Sequence, residues 1–403
     1  MALMPVADAL AAVLAGAEPL PEEMVALDAA HHRVLARNVA ALRTQPPQAM
    51  SAMDGYAVRA ADASRAGARL KVIGEVAAGR PCDTALRAGE AMRIFTGGVI
   101  PQGADAVIIQ EDTVRDGDSI DVTEAAIKGR HIRPAGVDFC EGDVLLRGGR
   151  RLTDRDLSLA AGMNYPQLAV RRRPKVAVLA TGDELVMPGT TPGPGQIVYS
   201  NGYALRALAR GEGAETVDLG IAADTIADTT DGIRHARDLG ADLLITSGGA
   251  SVGDHDLVKQ SLEAEGVAMS FWRIAMRPGK PMMHGRLGPM RVIGLPGNPV
   301  SSYVCGFLFM APLIRALSGR TDVHHASEAA VLGRDLAAND AREDYLRARL
   351  EERADGVLVA TPVDHQDSSL LGNLAAARAL VIRSPFAPAA AAGSPCTILR
   401  LPV

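Results

Sequence analysis

The sequence predicts a multidomain α/β plus β protein: a three-layer α/β domain with a parallel-rich sheet, an elongated N-terminal helical or linker region, a β-rich domain, and a C-terminal β-barrel-like domain. Three observations carry this. At 403 residues the chain exceeds what one hydrophobic core ordinarily serves. Between residues 171 and 320, short apolar runs alternate with helical stretches, the rhythm of a parallel sheet covered by helices. On either side the rhythm changes to short strands punctuated by turns. The expected units are 1–45 with 138–170 as the N-terminal or linker domain, 46–137 as the β-rich domain, 171–320 as the α/β domain and 321–403 as the C-terminal β domain.

Taken in order, the first 45 residues read as helical, and Thr44-Gln45-Pro46-Pro47 breaks the pattern because a residue before proline is pushed out of helical geometry. The runs LKVIGEV, AMRIFTGG and DAVIIQED follow, with Asp116-Gly117-Asp118 as a turn between TVR and SIDV. After Arg171-Arg172-Arg173-Pro174 come the buried-strand runs VAVLA (176–180), TVDLG (216–220), LLIT (243–246) and RVIGL (291–295). Ser200 and Asn201 are placed to cap a helix ending near Gly211, and Asp228 or Thr229 one that stops at Gly240. Residues 292–314 carry no charge, but Pro296-Gly297-Asn298-Pro299 interrupts them, so a buried helix is expected there rather than a membrane span. Beyond 320, YLRARLEE and GVLVATPV meet at Ala354-Asp355-Gly356 as a hairpin, and the alanine-rich 387–392 segment reads as loop.

Composition excludes several function classes. With 42 Lys+Arg against 47 Asp+Glu, a formal net charge of -5, no whole-molecule field recruits nucleic acid or an anionic membrane. Aromatics are 3% with Trp272 the sole tryptophan, which leaves no stacking platform for single strands. Cys82, Cys140, Cys305 and Cys396 are widely spaced, with neither zinc-site nor disulfide-framework spacing. The N-terminus lacks a basic n-region and has Asp8 within its apolar stretch, so it reads as an amphipathic helix and the expected location is cytoplasmic. GxSxG does not occur, and neither does GxGxxG at a strand–helix turn, which argues against a covalent hydrolase and a nicotinamide oxidoreductase.

In an open parallel sheet, ligands sit beyond the carboxyl ends of the strands. Three loops should therefore open on one edge: Thr181-Gly182-Asp183-Glu184, the stretch TSGGASVGDHD from Thr246 to Asp256, and Pro296-Gly297-Asn298-Pro299-Val300-Ser301-Ser302. Glycines let the backbone approach an anion, Ser247 and Ser251 add hydroxyl donors, and a helix N-terminus adds a positive dipole. Carboxylates beside such a cradle would repel a phosphate unless a hard cation sits between them. Glu184, Asp254 and Asp256 could supply oxygens to Mg²⁺, which takes one or two carboxylates plus ligand oxygens. Each residue also has a plain structural reading: Asp256 as an N-cap, Asp183 and Glu184 as a solvated turn, Asp54 as the cap of a turn in Ser51-Ala52-Met53-Asp54-Gly55, and His255 and His284 as polar packing residues. Arg277 and Lys280 in AMRPGKPMMHG offer a rigid basic loop for an oxyanion.

In order along the chain, SAMDGYAVR, RIFTGG, RPAGVDFCEGD, ATGDEL, SNGY, TSGGASVGDHD, AMRPGKP and GLPGNPVSS resemble the molybdopterin molybdenumtransferase family, which includes the E domain of gephyrin. The match runs from about residue 45 to 305. The resemblance implies that the α/β domain binds molybdopterin, and that the enzyme is Mg²⁺-dependent, takes adenylylated molybdopterin and molybdate, and releases AMP with the molybdenum cofactor. It also implies a homodimer with the active site at the subunit interface, and as partners a molybdopterin adenylyltransferase and molybdoenzyme chaperones. The family's acids fall on Asp54, Glu184, Asp224 and Asp256, and the threonine of its TGG motif on Thr96. Its ligand-binding residues fall on Ser247, Gly248, Gly249, Ser251, Gly253, Asp254, Arg277, Lys280, Pro296, Asn298, Pro299 and Ser301. Gln366 and Ser368 match its Gln-x-Ser, with Arg342 and Arg347 in the region before it.

Two departures stand out. Arg277-Pro278-Gly279-Lys280 replaces the common Lys-Pro-Gly-Lys, changing a point donor into a fork, so molybdate affinity or release is expected to differ. Gln48-Ala49-Met50 replaces a common Phe-Asp-Asn, which alters the cleft wall near Asp54. A non-catalytic molybdopterin-binding scaffold of the gephyrin kind is the rival reading, although gephyrin's receptor-binding surface is not visible in this sequence.

Overall fold

The structure is a computed structural model and describes residues 3–248 and 257–402. At its centre is a six-stranded mixed sheet, in the order Glu215–Ala222, Lys175–Thr181, Leu243–Ser247, Met290–Leu295, Pro281–Leu287, Ala268–Arg273. The first four strands run parallel, Pro281–Leu287 runs against them, and Ala268–Arg273, antiparallel to Pro281–Leu287, runs in the direction of the first four. Successive side chains of a strand point to opposite faces. Accordingly Val176 and Val178 join a core with Leu205, Val304 and Phe307, while Ala177 and Leu179 join another with Ile233, Ala236, Val258 and Leu262. Helices thus cover both faces, which is why VAVLA is apolar throughout rather than alternating.

The register decides where the loops emerge. Ala180 lies beside Ser247, Ser247 beside Leu295, and Thr181 beside Ala222. The carboxyl ends of the four parallel strands are therefore level, and their loops open on one edge.

Pro299–Leu317 is one continuous helical stretch with proline at its first turn and a π-helical segment at Gly306–Met310. It is long and apolar enough to cross a membrane, yet 83% of its apolar window is buried against the sheet, and it serves as the core helix expected from the sequence. The helix Ile226–Asp238 starts one turn earlier than expected. Thr225, rather than Asp228 or Thr229, is its cap, its hydroxyl accepting from the Asp228 amide at 3.1 Å.

The first 45 residues are not uniformly helical. Only Val6–Leu14 is α-helix, with a short 3-10 turn at Leu27–Ala29. Glu22–Ala26 is a strand because it pairs antiparallel with Gln167–Arg171, a tertiary contact that overrides the helix propensity of EEMVA. Val39–Ala40 pairs with Val144–Leu146, and Leu35, Leu146, Leu152, Met163 and Leu168 form a small core of their own. Ala9 and Val13 of the first helix instead pack on the core of the α/β domain.

The β-rich part is a six-stranded sheet ordered Ala106–Ile109, Gly55–Val58, Glu90–Ile94, Arg69–Val76, Ser119–Val122, Thr113–Asp116. The turn at Asp116-Gly117-Asp118 joins its last hairpin as expected, with Gly117 at φ 59. The C-terminal unit is a closed five-stranded barrel. Glu343–Glu352 pairs on one side with Leu358–Pro362, forming the expected hairpin, and on the other with Ala379–Arg383; Ser327–Leu332 and Pro395–Arg400 complete the circuit.

A buried ion triad fastens the end of the Asn201–Gly211 helix to the end of the core helix. Glu212, 7% exposed, accepts from Arg315 at 2.6 and 2.8 Å and from Arg320 at 2.8 Å. Burial alone would push its carboxyl up, but the two guanidiniums more than reverse this and hold it below the ordinary value of 4.5. A depressed folded pKa means stability that is present above about pH 4.5 and lost as pH falls through the folded value. Glu212→Ala, which leaves Arg315 without a carboxylate and Arg320 with Asp322 alone, should cost about 3–5 kcal/mol by urea denaturation, and Glu212→Gln should flatten the acid limb of the stability–pH curve. An unchanged acid limb in Glu212→Gln would remove this triad from the account of acid stability.

Candidate functional site

A cleft of about 570 Å³ opens over the level strand ends. Thr181 and Glu184 line it from the first loop, Ser247 and Gly248 from the second, Pro296, Gly297, Asn298, Pro299 and Ser301 from the third, and Lys280 from the basic loop. Leu185, Ile197 and Val198 wall it from a short parallel pair, Leu185–Val186 with Ile197–Val198, and Ser369 reaches it from the barrel.

Close backbone packing holds these loops in place. Gly248 has φ +101, and a Cβ there would overlap the Thr181 carbonyl oxygen, so only glycine lets the two loops touch. Asn201 then ties the second loop to the third, its Nδ2 donating to Ser247 Oγ at 2.8 Å and to the Gly297 carbonyl at 2.7 Å. Asn298 Nδ2 donates to Ser368 Oγ at 2.9 Å, and the Val300 amide donates to the Ser368 carbonyl at 3.0 Å, so the barrel is tied to the same loop. Tyr199 forms part of the floor, and burial pushes its hydroxyl up to about 12, so it stays protonated.

The charged groups are placed unequally. Glu184 folds its carboxylate over Gly182, where a Cβ would strike it, and this exposed carboxylate accepts no hydrogen bond among the described residues. Asp183 and Asp224 each accept from the other's backbone amide, at 3.0 and 3.4 Å, at the rim beyond the cleft lining. Lys280 lines the cleft without a carboxylate partner among the described residues. Arg277 does not line it. Its guanidinium grips Asp344 of the barrel at 2.8 and 2.5 Å, and that bond raises its pKa above the usual guanidinium value. Arg342 is paired with Asp340 at 2.9 Å. Arg347 is buried and does not line the cleft; its amide donates to Gln366 Oε1 at 3.0 Å, and its side chain donates to the Asp367 carbonyl at 3.0 Å, bracing the loop that carries Ser368.

Asp54 and Thr96 meet each other, though not this cleft. The Thr96 amide and hydroxyl both donate to Asp54 Oδ1, at 2.7 and 2.8 Å, on adjacent strand ends of the β-rich domain. Those two bonds hold the Asp54 carboxyl below its ordinary value, with a smaller pull from Arg93. Gly249, Ser251, Gly253, Asp254 and Asp256 lie outside the described residues, as does His255. Sequence reasoning placed Thr181 in the first strand-end loop without giving it a role, did not assign Tyr199 or Ser369 to the site, and, beyond its place in the SNGY motif, read Asn201 only as a cap. The available signal was SNGY, which follows a loop rich in proline and glycine and the short strand Ile197–Val198.

Level parallel strand ends, close glycine turns and a lone lysine define an α/β protein with a cleft suited to an anionic small molecule, joined to a closed barrel. Residues 4–163 match the MoeA N-terminal region (domain I and II), 177–316 a probable molybdopterin binding domain, and 329–401 the MoeA C-terminal region (domain IV). A molybdopterin molybdenumtransferase of Nostoc sp. is 35% identical over 94% of this chain and 89% of that protein. Molybdopterin molybdenumtransferase 2 of Mycobacterium tuberculosis is 37% identical over 84% of this chain and 85% of that protein. The crystal structure of a molybdopterin biosynthesis MoeA protein from Pyrococcus horikosii superposes with a TM-score of 0.85 at 30% identity, covering 99% of both chains. The chain belongs to the molybdopterin molybdenumtransferase family.

Asn201→Ala removes two hydrogen bonds that fasten the second loop to the third. It should cost about 1–3 kcal/mol in urea denaturation while the secondary-structure signal stays intact. A loss below about 0.3 kcal/mol would show that the loops hold their places without it.

Proposed function

We propose that the protein is a molybdopterin molybdenumtransferase that inserts molybdate into adenylylated molybdopterin and releases AMP in a Mg²⁺-dependent reaction. The observation that carries this is that Lys280 and Glu184, neither paired with the other, line one cleft over level strand ends. The family membership of the chain and the names of its relatives support the same reading.

Donor chemistry fits the cation. Glu184 offers two hard oxygens claimed by no hydrogen bond among the described residues, and Mg²⁺ needs only one or two carboxylates when the ligand's phosphate oxygens complete its shell. No cluster of three metal-ligating side chains occurs among the described residues; Asp254 and Asp256, outside them, are the further candidates. When bound, Mg²⁺ would neutralise charge on the phosphate oxygens. Backbone amides of the glycine loops and the hydroxyls of Ser247 and Ser301 bind and orient the ligand's phosphate. Lys280 receives the molybdate oxyanion and holds its attacking oxygen in place. Because the Arg277 fork is taken by Asp344, Lys280 is the cation of the basic loop left for this task.

The Asp54–Thr96 pair completes the cleft from the second subunit of a homodimer. Its place outside the lining of the chain's own cleft supports that arrangement. Asp54 is then an ionised carboxylate whose acidity is set by Thr96.

AMP release from adenylylated molybdopterin tests the reading: it should require both molybdate and Mg²⁺, and tight binding without release would make the protein a carrier instead. Asp54→Ala and Glu184→Ala should each fold and be inactive alone. Mixed after subunit exchange they should recover about a quarter of wild-type activity, since each mixed dimer regains one intact site; no recovery would place both residues in the same subunit's site. In Thr96→Val the hydroxyl bond to Asp54 is lost, so the acid limb of the rate profile should move to higher pH. An unmoved limb would separate Asp54 from the rate.

A further inference from the structure

Another cleft, of about 530 Å³, shares no lining residue with the first. It lies where the 145–151 segment of the linker unit meets Thr321 and Asp322, the stretch that leads from the core helix toward the barrel. Its sequence signature is Arg147-Gly148-Gly149-Arg150-Arg151, which the proposed transferase chemistry leaves unused.

The carboxylates around this cleft are already committed. Asp156 is held by Arg150 at 2.9 and 3.0 Å. Asp322 is paired with Arg320, and Glu212 with Arg315 and Arg320. Arg147, exposed on the lining, has no carboxylate within 4.0 Å among the described residues. Arg151 has none either, and its Nε is buried with no hydrogen-bond partner. Burial, and after it the neighbouring Arg320, holds the Arg151 pKa below the usual guanidinium value, against an opposing pull from Glu212 and Asp322.

We infer that this cleft is a second anion site, which takes a tetrahedral phosphate-type oxyanion between the guanidiniums of Arg147 and Arg151, with the Thr321 side chain on its wall. The class follows from the donors. Planar guanidinium forks match the paired oxygens of a phosphate, and the cleft's cations exceed its uncommitted acids. Free inorganic phosphate and the phosphate of a monoester share this chemistry. Bound there, either would bridge the linker unit to the chain that enters the barrel. The inference is independent of the transferase reading.

Isothermal titration of the full-length protein with inorganic phosphate and with AMP, at ionic strength fixed by chloride, tests it. Wild type should show saturable phosphate binding. Arg147→Gln, at an exposed position that should leave folding intact, should weaken it by about tenfold or more, the effect of one charge-assisted contact. Arg147→Gln/Arg151→Gln should abolish that component. If AMP loses affinity in parallel, the site accepts a phosphomonoester; if only inorganic phosphate does, it takes the free ion. Absence of saturable binding in wild type, or binding of both ligands to Arg147→Gln and the double variant as to wild type, would overturn the inference.

Discussion

The close approach of Gly248 to the Thr181 carbonyl is the contact on which the rest of the cleft depends. No side chain could stand there, and φ +101 is a glycine conformation. Because the two strand ends meet, Ser247 sits where Asn201 can reach it; because Asn201 has two amide protons, the same side chain also holds Gly297. The third loop, so placed, presents Asn298 to Ser368 of the barrel. One steric allowance at the sheet edge thus propagates through four hydrogen-bonded groups to a different domain. Each link uses a side-chain amide or hydroxyl with a defined partner, while the buried hydroxyls of Thr181 and Tyr199 on the same lining have none.

The arginine at 277 shows how one substitution moves a charge from ligand to scaffold. A lysine is a point donor, whereas a guanidinium can grip both oxygens of one carboxylate. Here it grips Asp344, 5% exposed, at the site where the two-residue strand Met276–Arg277 runs parallel to Glu343–Asp344. The fork therefore fixes the barrel to the α/β domain. The lysine three residues on, with no carboxylate partner among the described residues, keeps the cleft cationic. The sequence expectation that this position alters handling of an oxyanion acquires a physical route: the basic loop contributes one cation and a rigid anchor rather than two cations.

Legibility in the sequence followed the range of the interaction. The runs VAVLA, LLIT and RVIGL were legible as buried strands because burial on both faces leaves no polar position, and their shared edge followed from the topology of parallel sheets. The Asp116-Gly117-Asp118 turn and the hairpin near Ala354-Asp355-Gly356 were legible because turn chemistry is local. Glu22–Ala26 was not, since Glu, Met and Ala favour helix and only Gln167–Arg171, more than a hundred residues away, makes it a strand. The same limit hid Asn201. Its residue type at a helix start says cap; its hydrogen bonds to residues 46 and 96 positions away make it the fastener of the cleft. Eight of the residues expected at the site do line one cleft: Glu184, Ser247, Gly248, Lys280, Pro296, Asn298, Pro299 and Ser301. Arg277, Arg342 and Arg347 are instead engaged within the barrel and its junction, because a motif fixes a residue's type without fixing which neighbour claims its charge.

That question of which neighbour claims a charge also explains how a protein with a formal net charge of -5 can keep locally positive surfaces. At physiological salt, charges more than about 8 Å apart are largely screened, so the overall balance matters less than the local pairing. Much of the arginine complement is spent on carboxylates: Arg172 on Asp242 at 2.7 and 3.0 Å, Arg400 on Glu328 at 2.6 and 2.9 Å, Arg315 and Arg320 on Glu212. These forks join segments far apart in the chain and cancel their own fields. A cation left without such a partner then keeps its field for whatever enters the space beside it. Among the described residues Lys280 is in that position at the strand ends, and Arg147 and Arg151 on the lining of the linker cleft, so the local field at each cleft is set by which of its own cations a carboxylate has already claimed.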